Sequence, residues 1–216
     1  MYENFFKRFF DIMLSLVGLI VLVVPMLIVA LVTVIDSKGP ALFKQKRIGI
    51  HKKEFMILKF RSMPIETPSE MPTHMLQNSE SFLSPWQRFI RKTSIDELPQ
   101  LVNILKGDMS IIGPRPALWN QYDLIAERDK YGANDLRPGL TGWAQINGRD
   151  ELEISQKAKL DGEYVERLSL GFDFKCFFGT IFSVLRSEGV VEGGTGAIQR
   201  QAKVIQNEEN KAVDVK

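Results

Sequence analysis

The chain has 216 residues, with 28 Lys and Arg against 26 Asp and Glu for a formal net charge of +2. That length suits one domain with a real core, and the near balance of charge gives no general argument for binding nucleic acid. A single cysteine, Cys176, excludes an internal disulfide framework and a cysteine-rich zinc site, and two histidines, His51 and His74, leave little for a histidine metal site or a Ser-His-Asp triad; carboxylates are the chemical groups to follow.

In chain order, a basic and aromatic run, Phe5-Phe6-Lys7-Arg8-Phe9-Phe10-Asp11, leads into residues 12–35, which carry no charge. As a helix this stretch is about 36 Å long, enough to cross a hydrocarbon core of roughly 30 Å. It exceeds the apolar core of a signal peptide, roughly 7–15 residues, and no small-x-small cleavage site follows, so the segment is expected to be retained in the membrane. Pro25 removes a backbone hydrogen bond in its middle and predicts a kink. Lys7 and Arg8 precede the segment, while Lys38, Lys44, Lys46, Arg47, Lys52 and Lys53 follow it. A simple span puts one basic flank on the wrong side of the bilayer, whereas a bent helix that enters and leaves by one leaflet keeps both on the same side. The residues alone allow either.

A turn at 36–40 is followed by two β-rich runs, 41–49 and 54–63, joined by a charged connector containing glycine, which predicts a hairpin. Alternation in the second run places Phe55, Ile57, Lys59 and Arg61 on one face, so Lys59 and Arg61 are expected to project together. They form either a phosphate clamp or a solvated cation pair near lipid headgroups. Residues 64–82 are polar and punctuated by proline, a surface loop to which no chemistry is assigned. Pro85 then opens a helix with Trp86, Phe89 and Ile90 at i, i+3 and i+4 and Arg88, Arg91 and Lys92 on its flank, a pattern suited to a bilayer surface or to core packing.

Two adjacent carboxylates, Asp96 and Glu97, come next, behind Arg91 and Lys92. Ser94 and Glu97 have the spacing of a capping box, and Pro99 is tolerated in a first turn. The pair is thus expected at a helix N-terminus, where a carboxylate or phosphate is stabilised; the plain alternative is two first-turn acids. The helix runs to Lys106 and stops at Gly107. Arg115 lies between Pro114 and Pro116, a fixed fork for phosphate oxygens or a solvated arginine on a turn. Residues 137–149 repeat this style, and Arg137, Trp143, Gln145, Asn147 and Arg149 are candidates for holding a nucleotide and a sugar. Helices are expected over 118–130 and 152–168. A strongly apolar helix over 170–186 is short for a span and is read as interfacial or core. Gly193-Gly194-Thr195-Gly196 lacks the Lys-Ser/Thr of a P-loop and reads as a flexible exit before a charged, disordered tail.

Four stretches, KFRSM at 59–63, RKTSIDELPQL at 91–101, LKGDMSIIGPRP at 105–116 and RPGLTGWAQINGR at 137–149, lie in this order behind the hydrophobic segment. Together the chain resembles the bacterial sugar transferases, the small monotopic phosphoglycosyl transferases, over nearly its whole length. The resemblance implies an α+β, mainly helical fold with a re-entrant membrane helix hairpin over 1–36. A catalytic domain over 37–190, with a small β-hairpin and interfacial amphipathic helices, would follow on the cytoplasmic face of the bacterial inner membrane, then a flexible tail over 191–216. It implies transfer of a sugar 1-phosphate from a UDP-sugar, an N-acetylated amino sugar being common, to undecaprenyl phosphate with release of UMP, the first membrane step of surface-glycan assembly.

The family's catalytic pair falls on Asp96 and Glu97. Asp96 would be the nucleophile that forms an aspartyl phosphosugar and would touch a Mg²⁺ ion, and Glu97 would support metal or proton handling. Lys59, Arg91 and Arg115 would neutralise the diphosphate with Mg²⁺. One departure stands out: related chains often carry Ser-Pro at the membrane break, and this one has Val24-Pro25, so no serine hydroxyl is there to cap the freed carbonyls. Two other functions fit the same residues, a membrane-tethered nucleotide-sugar hydrolase and a non-catalytic scaffold for glycan-assembly enzymes.

Overall fold

The structure, a computed structural model, describes residues 2–65, 67, 83–148 and 152–186. Most of the expected loop at 64–82, the candidate Arg149, the glycines at 193–196 and the tail lie outside the described residues.

A π-helical turn, Tyr2–Lys7, runs into α1, Arg8–Asp36, a single helix with Pro25 inside it. Most of its apolar side chains, from Phe9 through Ile20, Val21 and Leu27 to Ile35, are exposed. It is the one helix among the described residues long and apolar enough to cross a membrane. Its buried positions, Asp11, Ser15, Val29 and Thr33, follow helical spacing and mark the stripe that faces the rest of the protein.

Both ends of α1 are bonded to the same body. Near its start, Lys7 pairs with Asp173 at 2.7 Å, Arg8 donates to the carbonyls of Ile104 and Leu105 at 2.6 and 2.9 Å, and Asp11 accepts from Ser110 Oγ and Ile111 N. Near its end, Trp86 Nε1 donates to Thr33 Oγ1 at 3.1 Å and Ser84 Oγ to Asp36 at 2.8 Å.

Strands β1, Leu42–Ile48, and β2, Glu54–Phe60, form the expected antiparallel hairpin, in a register that sets Leu42 opposite Phe60 and Ile48 opposite Glu54. The expected pairing of Lys59 with Arg61 is not formed. The strand ends at Phe60, and the buried Arg61 guanidinium turns back to donate to the carbonyls of Ser37 at 2.5 Å and Lys38 at 2.6 Å. The last carbonyls of a helix have no partner within it, and Arg61 supplies donors just past the end of α1.

Helix α2, Pro85–Lys92, begins with a reciprocal box: Ser84 Oγ accepts from Gln87 N, and Gln87 Oε1 accepts from Ser84 N, both at 3.1 Å. The capping box expected at Ser94 and Glu97 does not form. Ser94 takes a left-handed conformation, φ 56°, with no side-chain cap bond, and turns the chain into a 3₁₀ turn at Ile95–Glu97; the side chain of Glu97 is drawn to two cations instead. Helix α3, Gln100–Lys106, follows and stops at Gly107, φ 96°, as its glycine signal predicts.

Helix α3 sits between the hairpin and α1. Ile57, Leu101, Ile104 and Met109 are buried together, with Leu19, Leu22 and Phe55 against them. Asn103 fastens α3 to β2, donating to Met56 O at 2.8 Å and accepting from Leu58 N at 2.9 Å. The two arginine-bearing loops are joined by strands that the sequence reading left as loop: β3, Ser110–Ile112, pairs in parallel with β4, Gly139–Thr141. Their backbones meet so closely that a Cβ at Gly139 would strike Gly113 N and Thr141 O. Helices α4, Tyr122–Asp129, α5, Trp143–Ile146, α6, Ile154–Glu166, and α7, Leu170–Arg186, complete the fold. A second core gathers Ile112, Tyr164, Phe172 and Cys176, and a buried Arg128–Asp161 pair at 2.6 Å joins α4 to α6. Helix α7 leaves Phe174, Phe177, Phe178, Ile181 and Phe182 exposed, as α2 leaves Phe89.

Arg61→Ala removes the donors from the Ser37 and Lys38 carbonyls and is expected to cost about 2 kcal/mol, the scale of a charged hydrogen bond lost from partly buried acceptors. Thermal unfolding in detergent micelles measures it, and an unchanged melting temperature refutes the capping role.

Candidate active site

The two adjacent carboxylates point to different surroundings. A 3₁₀ turn has about three residues per turn, so neighbouring side chains diverge by roughly 120°. Glu97 faces two cations: its Oε1 lies 2.7 Å from Lys59 Nζ and 2.5 Å from Arg115 Nη2, and its Oε2 is 3.3 Å from Arg115 Nη1. Lys59 arrives from the end of β2 and Arg115 from the loop after β3, so three separate segments converge on one carboxylate. Asp96, 6% exposed, turns instead to Ser62, whose hydroxyl donates to its Oδ2 at 3.1 Å.

Their acidities are pushed apart. Burial raises the Asp96 carboxyl above its ordinary value, and the Glu97 charge adds to that, while Lys59, Arg91 and the Ser62 hydrogen bond oppose it. Burial also acts upward on Glu97, but Arg115 and Lys59 together outweigh it and hold that carboxyl well below the usual range. Burial lowers the Lys59 ammonium, against the pull of Glu97. Glu97 is thus a fixed negative charge that neutralises the cations, and Asp96 is a less stabilised, more basic carboxylate beside it.

Among the described residues no cluster of three or more His, Cys, Asp or Glu could cage a metal ion. The carboxylates present are Asp96 and Glu97, with both Glu97 oxygens engaged by Lys59 and Arg115; Mg²⁺ is commonly held by one or two carboxylates and completed by substrate phosphates and water, so Asp96 is the residue that could touch it.

The other candidates have structural partners. Arg91 acts on Asp96 through its charge. Arg137 Nε donates to Gly107 O at 3.2 Å. Trp143 Nε1 donates to Glu163 at 3.0 Å, its ring packs on Phe172, and Lys175 Nζ sits 4.8 Å from the ring centre. Gln145 Nε2 reaches Gly113 O at 3.5 Å, and Asn147 donates to Trp143 O at 2.7 Å. Sequence reasoning passed over Ser62, although it lies inside the 59–63 motif. It also gave no role to Gln100, four residues after Asp96 and fully buried, with neither amide atom partnered.

The model of the bacterial sugar transferase family matches residues 2–187. The chain belongs to that family. It is 41% identical to the uncharacterized sugar transferase EpsL of Bacillus subtilis, over 85% of this chain and 89% of that protein. It is 36% identical to the undecaprenyl-phosphate galactose phosphotransferase of Salmonella typhimurium, over 87% of this chain and 42% of that protein. With the UDP-glucose:undecaprenyl-phosphate glucose-1-phosphate transferase of Escherichia coli the identity is 38%, over 82% of this chain and 39% of that protein. The chain spans less than half the length of these last two relatives.

Glu97→Gln leaves two cations facing a neutral amide. Losing one member of a buried ion pair typically costs 3–5 kcal/mol, and the low end, about 3 kcal/mol, is expected because Arg115 keeps part of its side chain in solvent. The folded-state value of Glu97 lies below its unfolded value, so its contribution is complete above the ordinary glutamate range. It is lost as pH falls through the depressed folded value. The gap in melting temperature between wild type and Glu97→Gln, measured in EDTA, should therefore be full at pH 7 and close only under strongly acidic conditions. A gap that closes between pH 7 and 6 contradicts the assignment.

Proposed function

We propose that this protein is a phosphoglycosyl transferase that moves a sugar 1-phosphate from a UDP-sugar to undecaprenyl phosphate and releases UMP, opening the assembly of a surface glycan. The observation that carries this reading is the divided carboxylate pair: a buried Asp96 with a raised carboxyl beside a Glu97 locked between Lys59 and Arg115. Family membership and the transferase names of relatives in Salmonella and Escherichia support it.

In the first step the Asp96 carboxylate attacks the β-phosphorus of the UDP-sugar. The new bond joins Asp96 to phosphorus, and the bridging bond breaks so that UMP departs with the bridging oxygen. In the second step a phosphate oxygen of the lipid acceptor attacks the same phosphorus, the bond to Asp96 breaks, and a polyprenyl diphosphate sugar leaves. Ser62 holds one oxygen of Asp96. Lys59, Arg91 and Arg115 offset the charge of the diphosphate, where positioning and electrostatics dominate phosphoryl transfer. Asp96, backed by Glu97, would hold Mg²⁺ jointly with the diphosphate, and the ion would neutralise charge there.

The membrane attachment belongs to the same proposal. A helix of α1's length that crossed a bilayer would carry one end to the far side, yet Arg8 and Asp36 are bonded to one body. This supports a re-entrant, monotopic attachment. The basic residues on both flanks favour the cytoplasmic face. The exposed aromatic faces of α2 and α7 would rest at the interface. An N-acetylated amino sugar is the narrower substrate reading, supported by a relative in Aeromonas hydrophila named as an N-acetylgalactosaminephosphotransferase and 35% identical to this chain; a panel of UDP-sugars assayed for UMP release tests it.

Asp96→Asn is expected to abolish UMP release in the presence of undecaprenyl phosphate, and mass spectrometry of the wild type incubated with the accepted UDP-sugar should find the phosphosugar on Asp96. Residual turnover in the variant, or an adduct on another residue, overturns the nucleophile assignment. Turnover of the UDP-sugar with no lipid-linked product would identify a hydrolase instead.

A further inference from the structure

We propose that the cleft between the start of α1 and α7 receives the hydrocarbon tail of the polyprenyl acceptor, an inference that rests on the transferase reading above. The cleft holds about 180 Å³ and is open along one side. Phe10 and Leu14 of α1 and Phe174 and Phe177 of α7 form its walls, and Ile111 and Ile112 of β3 its floor. That is less than the roughly 300–1,000 Å³ of sites that enclose a whole small ligand and suits one stretch of a long hydrocarbon chain whose remainder lies outside.

The lining selects an apolar ligand. Lys7 and the Tyr2 hydroxyl, which also border the cleft, both bond to Asp173, at 2.7 and 2.6 Å, and Asp11 is engaged by Ser110 and Ile111. The polar groups therefore satisfy one another and leave a hydrocarbon surface to a guest. Phe10, Leu14, Phe174 and Phe177 are themselves exposed, so the mouth is continuous with the apolar faces of α1 and α7 that lipid would cover. A chain can enter from the bilayer without crossing water.

Position distinguishes the acceptor from bulk lipid. Only Gly113 and Pro114 separate Ile112, on the floor, from Arg115, a path of at most about 11 Å, and Arg115 grips Glu97 beside Asp96. A tail laid in the cleft keeps its phosphate tethered within reach of the reacting carboxylate, which raises the local concentration of the second substrate as a linker does for a second binding module.

The test uses the full chain in nanodiscs of phosphatidylethanolamine and phosphatidylglycerol. Leu14→Trp and Phe177→Trp fill the cleft from opposite walls. Each should raise the KM for undecaprenyl phosphate about tenfold, the scale of a 1.4 kcal/mol loss, without a matching rise in the KM for the UDP-sugar. In a second arm, a diazirine-bearing polyprenyl phosphate is photolysed on the wild type and the labelled peptides are mapped. Labelling of α1 near Leu14 or α7 near Phe177, displaced by undecaprenyl phosphate and not by added phospholipid, supports the proposal. Equal displacement by phospholipid would make the cleft a general lipid groove and overturn it, as would labelling confined to other segments or an unchanged acceptor KM in folded variants. The labelling arm needs no turnover, so a wild type that releases no UMP refutes the transferase reading while the cleft is judged separately.

Discussion

The buried charge of Glu97 organises the site. A carboxylate cannot be taken out of water uncompensated, and its two cations come from segments far apart in sequence, Lys59 at the end of a hairpin and Arg115 in a loop set by a parallel strand pair. Satisfying that one charge brings the hairpin, the 3₁₀ turn and the arginine loop into a single geometry. Asp96, the preceding residue of the same turn, is thereby directed elsewhere, to the Ser62 hydroxyl. Rigidity and reactivity are divided between two neighbours of nearly identical chemistry.

The second constraint is solvent. Helix α1 exposes apolar side chains along most of its length, and α7 exposes a run of phenylalanines. In water such a surface would be an aggregation liability. A bilayer would remove that cost, and the buried stripe of α1 supplies, through Asp11 and Thr33, specific bonds to the domain that lipid cannot replace. Val24-Pro25 gives no serine hydroxyl to the middle of this helix, and α1 is seated by bonds at its two ends and by Leu19 and Leu22 against the first core.

Much of this was legible in the sequence where a local signal has a single physical meaning. Pro85 opens a helix, Gly107 ends one, and alternating residues over 42–60 make a hairpin, because those outcomes depend on backbone geometry close at hand. The failures share a different character. Ser94 and Glu97 have capping-box spacing, yet a carboxylate within reach of two cations gains more from them than from one backbone N–H, and the box forms at Ser84 and Gln87 instead. Arg61 follows the strand alternation on paper, but the open carbonyls after α1 take it away. Strands β3 and β4 are too short to show a period, and their pairing depends on glycines that let two backbones touch. Trp143 reads as a residue for holding a nucleotide or sugar, and the sequence gives no sign that Phe172 and Lys175 pack against its ring. Ser62 carries no signal of its own beyond its place in a motif.

The bond between Lys7 and Asp173 spans 166 positions of sequence. During synthesis the apolar helix emerges from the ribosome long before α7, its partner through that bond, has been made, and before Ile104, Leu105 and Ser110 exist to receive Arg8 and Asp11. Chains are made at about 5–20 residues per second, so α1 spends seconds without the contacts that later bond both of its ends to one body. Whatever places α1 during that interval comes from the helix and its flanking cations alone, and the bonds to the folded domain fasten it afterwards.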